Sequence, residues 1–161
     1  MDVIDRVVAG VGKRRPQASA LNARPEMGLA VLTCMDARLD PARLLGLGSG
    51  DAHVLRNAGG VVTPDVVESL AMSQEQLGTR HVMVIHHTEC AGLAERMPDR
   101  SAEETARAAV LQLRAAPGLP HRDAVRGYVL DIRQGTLTEV PAGGAHPVVP
   151  SARERGATPW P

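Results

Sequence analysis

Phenylalanine is absent from the 161 residues, and the only other aromatics are Tyr128 and Trp160. A surface of stacked rings, the usual platform for single-stranded nucleic acid, is therefore excluded. No charge is in surplus: 18 Lys+Arg stand against 18 Asp+Glu, so no basic field draws the chain to nucleic acid or to anionic lipid. Long apolar runs are also missing. The longest, from Gly28 to Met35, is broken by Thr33 and falls far short of the ~20 residues a bilayer helix needs. The opening residues Met1-Asp2-Val3-Ile4-Asp5-Arg6 lack the basic-then-apolar order of a secretory leader, and a cytoplasmic location is expected. With only Cys34 and Cys90, no disulfide framework can be built. In a reducing compartment the pair is expected as free thiols or metal ligands, with a single disulfide as the alternative.

What remains is ordinary for one folded domain: 43% hydrophobic and 22% charged residues, with Ala, Val and Leu left to fill the core. Val3, Ile4, Val7, Val8 and Val11 recur at helical spacing and predict an amphipathic helix over the first dozen residues. Leu29-Ala30-Val31-Leu32 reads as a strand buried on both faces, and Asp40-Pro41 starts a short helix that ends near Gly46. His53 to Arg56 is a second strand. Thr63-Pro64 caps a helix that carries Val66, Val67, Leu70, Ala71 and Leu77 and stops at Gly78, and Val82 to Ile85 is a third strand. Ser101 and Glu104 form a capping box for a helix through about Ala115. Val125 to Ile132 and Leu137 to Val140 then form a hairpin across Arg133-Gln134-Gly135. The expected class is α/β: a mostly parallel central sheet flanked by helices, with an antiparallel edge near the C-terminus. One domain over residues 1–140 is followed by a Pro/Gly-rich arm over 141–161.

In such a sheet, ligands bind beyond the carboxyl ends of the strands. The first strand runs into Thr33-Cys34-Met35-Asp36-Ala37-Arg38, the second into Arg56-Asn57-Ala58-Gly59-Gly60, and the third into His86-His87-Thr88-Glu89-Cys90-Ala91-Gly92. Two thiolates and an imidazole make a zinc site with a fourth position left for water. Cys34, Cys90 and one of His86 or His87 offer that set, and the strand period favours His87, because His86 projects to the opposite face. Asp36 is near enough either to contact a water on the metal or to ligate the metal itself, and bidentate pairing with Arg38 would hold it off. Gly59 and Gly60 can bring backbone close to the pocket or serve a plain turn.

Cys-x-Asp-x-Arg at Cys34, Asp36 and Arg38, then Arg-Asn-Ala-Gly-Gly from Arg56, then His-x-x-Cys at His87 and Cys90 together resemble the β-class carbonic anhydrases. The His-His-Thr-Glu-Cys wording and the small size are most similar to the short bacterial and archaeal branch. The resemblance implies one Zn²⁺ per chain held by Cys34, His87 and Cys90, a neighbouring Asp36–Arg38 dyad, and a substrate pocket at Asn57, Ala58, Gly59 and Gly60. It implies reversible hydration of carbon dioxide to bicarbonate by zinc-bound hydroxide, and a homodimer or larger assembly, with no nucleic acid or membrane as partner. The alternatives are a zinc hydrolase or pathway-specific relative acting on carbon disulfide or carbonyl sulfide, and a non-catalytic zinc module in which Asp36 completes the coordination. The chain departs from the family at Ala91, where glycine usually follows the second cysteine; a left-handed backbone there would strain alanine.

Overall fold

The computed structural model describes residues 3–8 and 22–143. After the short helix α1 (Val3–Val8) the chain runs through β1 (Leu29–Cys34), α2 (Pro41–Leu45), β2 (Ala52–Asn57), α3 (Pro64–Glu75) and β3 (His81–His87). It continues through α4 (Ala91–Arg96), α5 (Ala102–Ala115), β4 (Val125–Asp131) and β5 (Thr136–Val140). The strands form one sheet in the order β2-β1-β3-β4-β5. All neighbours are parallel except β4 and β5, which pair antiparallel. The expected α/β class with an antiparallel edge is therefore what the chain adopts.

Local chemistry explains the elements. The Asp40 side chain accepts from the Arg43 N–H, Pro41 supplies the first helical residue, and left-handed Gly46 closes α2. Thr63 caps α3 ahead of Pro64. The Ser101 and Glu104 side chains satisfy each other's backbone N–H at the start of α5. Asp131 accepts from the N–H groups of Arg133 and Gln134 to turn the β4–β5 hairpin.

An aliphatic core joins Ala30, Leu32, Val82, Val84 and Val125 of the sheet to residues of α3 and α5. Helix α5 lies so close to β4 that a Cβ on Gly127 would meet Val110 at 2.8 Å. The alternate residues Val31, Ile85, Tyr128 and Leu130 face the other side with Leu39 and Leu137. The period-2 inversion thus holds along the central strands. Register brings the carboxyl ends together, pairing Cys34 with Asn57 and Thr33 with Ile85.

The structure departs from expectation at one helix end and in one added helix. Helix α3 ends at Glu75 with Gln76 as its cap, not at Gly78, so Leu77 lies beyond it. A helix, α4, occupies part of the segment between Cys90 and Ser101, where none was expected. The N-terminal helix spans Val3–Val8, and Val11 lies outside the described residues. Of the expected arm, only residues 141–143 are described, and Arg107 and Arg114 of α5 donate to the carbonyls of Pro141 and Ala142.

Candidate metal centre

Cys34 closes β1, His87 closes β3, and Cys90 caps α4. All three are buried, and one donor atom from each lies within 4.8 Å of the others. The two sulfurs are 3.6 Å apart and both cysteines are free, which removes the disulfide alternative. Each sulfur accepts a backbone hydrogen bond, Cys34 from the Gly59 N–H at 3.3 Å and Cys90 from the Leu93 N–H at 3.4 Å. The bond from Leu93 favours the thiolate of Cys90.

The protonation state of His87 follows from its neighbours. Its Nδ1 lies 2.8 Å from the Thr88 carbonyl, an acceptor only, so Nδ1 carries the proton and Nε2 presents a lone pair. That Nε2 is buried and has no hydrogen-bond partner among the described residues. A buried ring nitrogen left in this state is what a metal ion would satisfy. Burial holds His87 below its ordinary pKa and so keeps the lone pair free. Burial, with the adjacent Cys34 thiol, pushes Cys90 up. To act together as ligands the two buried sulfurs must lose their protons, and a thiophilic divalent ion would supply the charge that offsets this. The donor set fits a tetrahedral site with three protein ligands and a fourth position open.

The Asp36 carboxylate lies beside the donors and is bound to Arg38. Arg38 Nε donates to its Oδ1 at 3.0 Å and the guanidinium NH2 to its Oδ2 at 2.7 Å, while the Arg38 N–H also donates to Oδ1. Its Oδ2 stays 3.9 Å from His87 Nε2. The Arg38 guanidinium, then its backbone N–H, hold the Asp36 carboxyl well below the usual carboxylate range. Asn57 closes the neighbouring loop by exchanging two side-chain bonds of 2.8 Å with Val61. Gly60, at φ +64°, lies against the backbone of Thr33 and Cys34, where a Cβ would be 2.8 Å from the Thr33 carbonyl carbon. Ala58 and Gly59 form the part of the loop on which α4 rests.

Two features escape sequence reasoning. Arg56 donates to the carbonyls of Cys34 and Asp36, at 2.9 and 2.8 Å, and clamps the backbone on both sides of Met35. Its position at a strand end beside the loop was the signal available. Glu89 is the second. It is the one non-glycine residue at positive φ, +55°, among the described residues. Its carbonyl accepts from Arg38 at 3.1 Å and its carboxylate pairs with Arg133 of the β4–β5 turn. The condition under which Ala91 would be strained is not met. Ala91 is the first residue of α4 and is not left-handed. The close approach falls at Gly92, whose Cβ would meet Gly59 N at 2.6 Å. His86, the other candidate ligand, points to the opposite face and bonds to Thr105 and to the Gly60 carbonyl. Beside the donors a hollow of about 560 Å³ is bounded by His87, Cys90, Leu93, Pro98, Arg100 and Glu103.

Comparison with known proteins agrees with this geometry. The carbonic anhydrase family pattern matches residues 29–128. The chain is 39% identical over 138 residues to beta-carbonic anhydrase 1 of Mycobacterium bovis, covering 72% of this chain and 83% of that protein. A shorter stretch of 65 residues is 45% identical to the carbon disulfide hydrolase of an Acidianus species, covering 40% of this chain and 32% of that one. The crystal structure of carbonic anhydrase from Streptococcus mutans superposes with a TM-score of 0.74 at 33% identity, over 88% of this chain and 99% of that one. With the family pattern spanning most of the sheet and the Cys34, His87 and Cys90 donors inside it, the chain belongs to the β-class carbonic anhydrases.

Proposed function

We propose that this protein is a zinc enzyme that catalyses the reversible hydration of carbon dioxide to bicarbonate. The observation that carries this reading is the convergence of Cys34, His87 and Cys90 beside an Asp36 bound to Arg38 rather than to the donors. Those three residues would hold the ion, and zinc, when bound, supplies a nucleophile near neutral pH by lowering the pKa of water.

The protein's own part is positional and electrostatic. Asp36 stays ionised because Arg38 binds both of its oxygens. Its Oδ2 is therefore an acceptor at all working pH values, placed to take a hydrogen bond from a group at the fourth position and fix its direction. Arg56 and the Glu89 carbonyl keep Asp36 and Arg38 in place. Val61, Leu93 and Met97 pack around the two cysteines and exclude bulk water, which suits a small apolar substrate. A non-catalytic module, with Asp36 as a fourth ligand, is disfavoured by the Asp36–Arg38 pairing.

A second reading has specific support. The local identity to carbon disulfide hydrolase makes hydrolysis of a sulfur analogue the competing activity at the same residues. We also infer a homo-oligomer in a reducing, cytoplasmic setting, supported by the exposed Val3, Ile4, Val7 and Val8 of α1 and by the free thiols. The test of function is stopped-flow carbon dioxide hydration at neutral and mildly alkaline pH on protein of confirmed zinc content, beside Cys34→Ser. Rapid hydration that is lost in the variant is expected. A zinc-loaded protein that is inert towards carbon dioxide but releases sulfide from carbon disulfide would establish the second reading instead.

A further inference from the structure

The loop that donates to the Cys34 sulfur is intrinsically loose. Gly59 and Gly60 are both at positive φ, +91° and +64°, and glycine gains no stiffness from a side chain. Its shape must come from outside. One anchor is the Asn57–Val61 exchange described above, and another is the packing of Gly92 on Gly59. The third anchor is His86, which is 1% exposed and is not among the metal donors. The Gly60 carbonyl, an acceptor only, lies 3.0 Å from His86 Nε2, so that nitrogen carries the proton and donates. In a neutral ring Nδ1 then faces the Thr105 hydroxyl at 2.8 Å, whose one proton is shared between Nδ1 and the Ala102 carbonyl at 2.9 Å. The ring is thus fixed at both ends, by α5 on one side and by the glycine loop on the other. On its far side Gly60 abuts Thr33 and Cys34, with no space even for a methyl group.

We propose that His86 is a positioning residue: by holding the Gly60 carbonyl it keeps the Gly59 N–H on the Cys34 sulfur and so strengthens the hold of that thiolate on the metal. The proposal rests on the zinc reading for its consequence but not for its geometry. Hydrogen-bonded supports behind metal ligands are worth about 10–100-fold in metal affinity, and a loss in that range is expected here. His86 needs to supply only one N–H at Nε2, so glutamine, which carries an amide N–H at comparable reach, should replace it better than leucine.

The experiment compares wild type, His86→Leu, His86→Gln and Thr105→Val, each checked for folding by circular dichroism. Exchange of the Gly59 amide is followed by NMR in the reduced metal-free protein, and zinc affinity by competition with a chromophoric chelator. In His86→Leu the Gly59 amide should exchange at least tenfold faster and zinc affinity should fall about 10–100-fold, with His86→Gln close to wild type. Thr105→Val should shift both in the same direction by less. A folded His86→Leu with the wild-type Gly59 amide and wild-type affinity overturns the proposal. So does a glutamine variant no better than leucine, which would make His86 a space-filler. If His86→Leu does not fold, an unchanged Gly59 amide in Thr105→Val overturns it. Failure of wild type to bind zinc would defeat the functional reading, whereas the metal-free amide measurement would still decide the role of His86.

Discussion

Gly92→Ala sets two effects of opposite sign against each other. Within α4 taken alone, alanine should be better than glycine by roughly 0.8–1 kcal/mol of helix propensity. Against this, the added Cβ would stand 2.6 Å from Gly59 N and 2.8 Å from the Ala58 carbonyl carbon, where carbon contacts are optimal at about 3.5–4.0 Å. Both obstacles are backbone, so the overlap of about an ångström cannot be relieved by a rotamer change. Overpacking of this kind costs about 1–3 kcal/mol, which outweighs the propensity gain and leaves a net loss of roughly 0–2 kcal/mol. The displaced atom also matters, because the Gly59 N–H donates to Cys34. Metal affinity should therefore fall by about tenfold or more, beyond what the modest stability change implies. Ala91→Gly is the control: Ala91 is exposed at the start of the helix, and its replacement should cost at most about 1 kcal/mol and leave the centre intact. Urea unfolding of the reduced metal-free proteins and chelator competition measure the two quantities. A Gly92→Ala protein more stable than wild type, with wild-type metal affinity, would refute the close-approach argument.

Removal of residues 1–12 takes away the exposed Val3, Ile4, Val7 and Val8 and should lower the assembly mass seen by light scattering; an unchanged mass would count against a role for this helix between subunits. Glu104 is held below its ordinary pKa, chiefly by the Ser101 N–H, so its charge contributes stability that is present above the ordinary carboxylate value and lost as pH falls through the lowered one. Glu104→Gln should accordingly be less stable than wild type at neutral pH, with the gap closing on acidification, and urea midpoints that differ equally across the acid range would contradict this.

Much of the fold was legible because its signals are local. The apolar run that forms β1, Thr63-Pro64 ahead of α3, and the Ser101/Glu104 box each act within a few residues, so each survives in a linear reading. Helix α4 did not show itself because it has six residues, contains Gly92, buries only Leu93 and is capped by a cysteine sulfur, which lies outside the usual oxygen-bearing caps. The convergence of Cys34, His87 and Cys90 was legible because strand ends in a parallel sheet must lie together, and strand alternation separated His87 from His86. The contacts of Arg56 and Arg133 were not, since their partners are 20 or more positions away in the chain. The left-handed conformation of Glu89 is not legible, because adjacent residues in a turn carry no local sign of which one inverts.

The hairpin at the sheet edge has a consequence in time as well as in space. Thr88 donates its N–H to Leu130 and receives the Ile132 N–H on its hydroxyl, while Arg133 binds Glu89. Edge hairpins belong to the less protected parts of a sheet and open locally more often than its centre. Here the loop that delivers His87 and Cys90 is tied by three links to the end of β4 and to the turn after it, so opening of that turn loosens the loop as well. An ion held at Cys34, His87 and Cys90 would then depend for its lifetime on how firmly a distant turn stays closed.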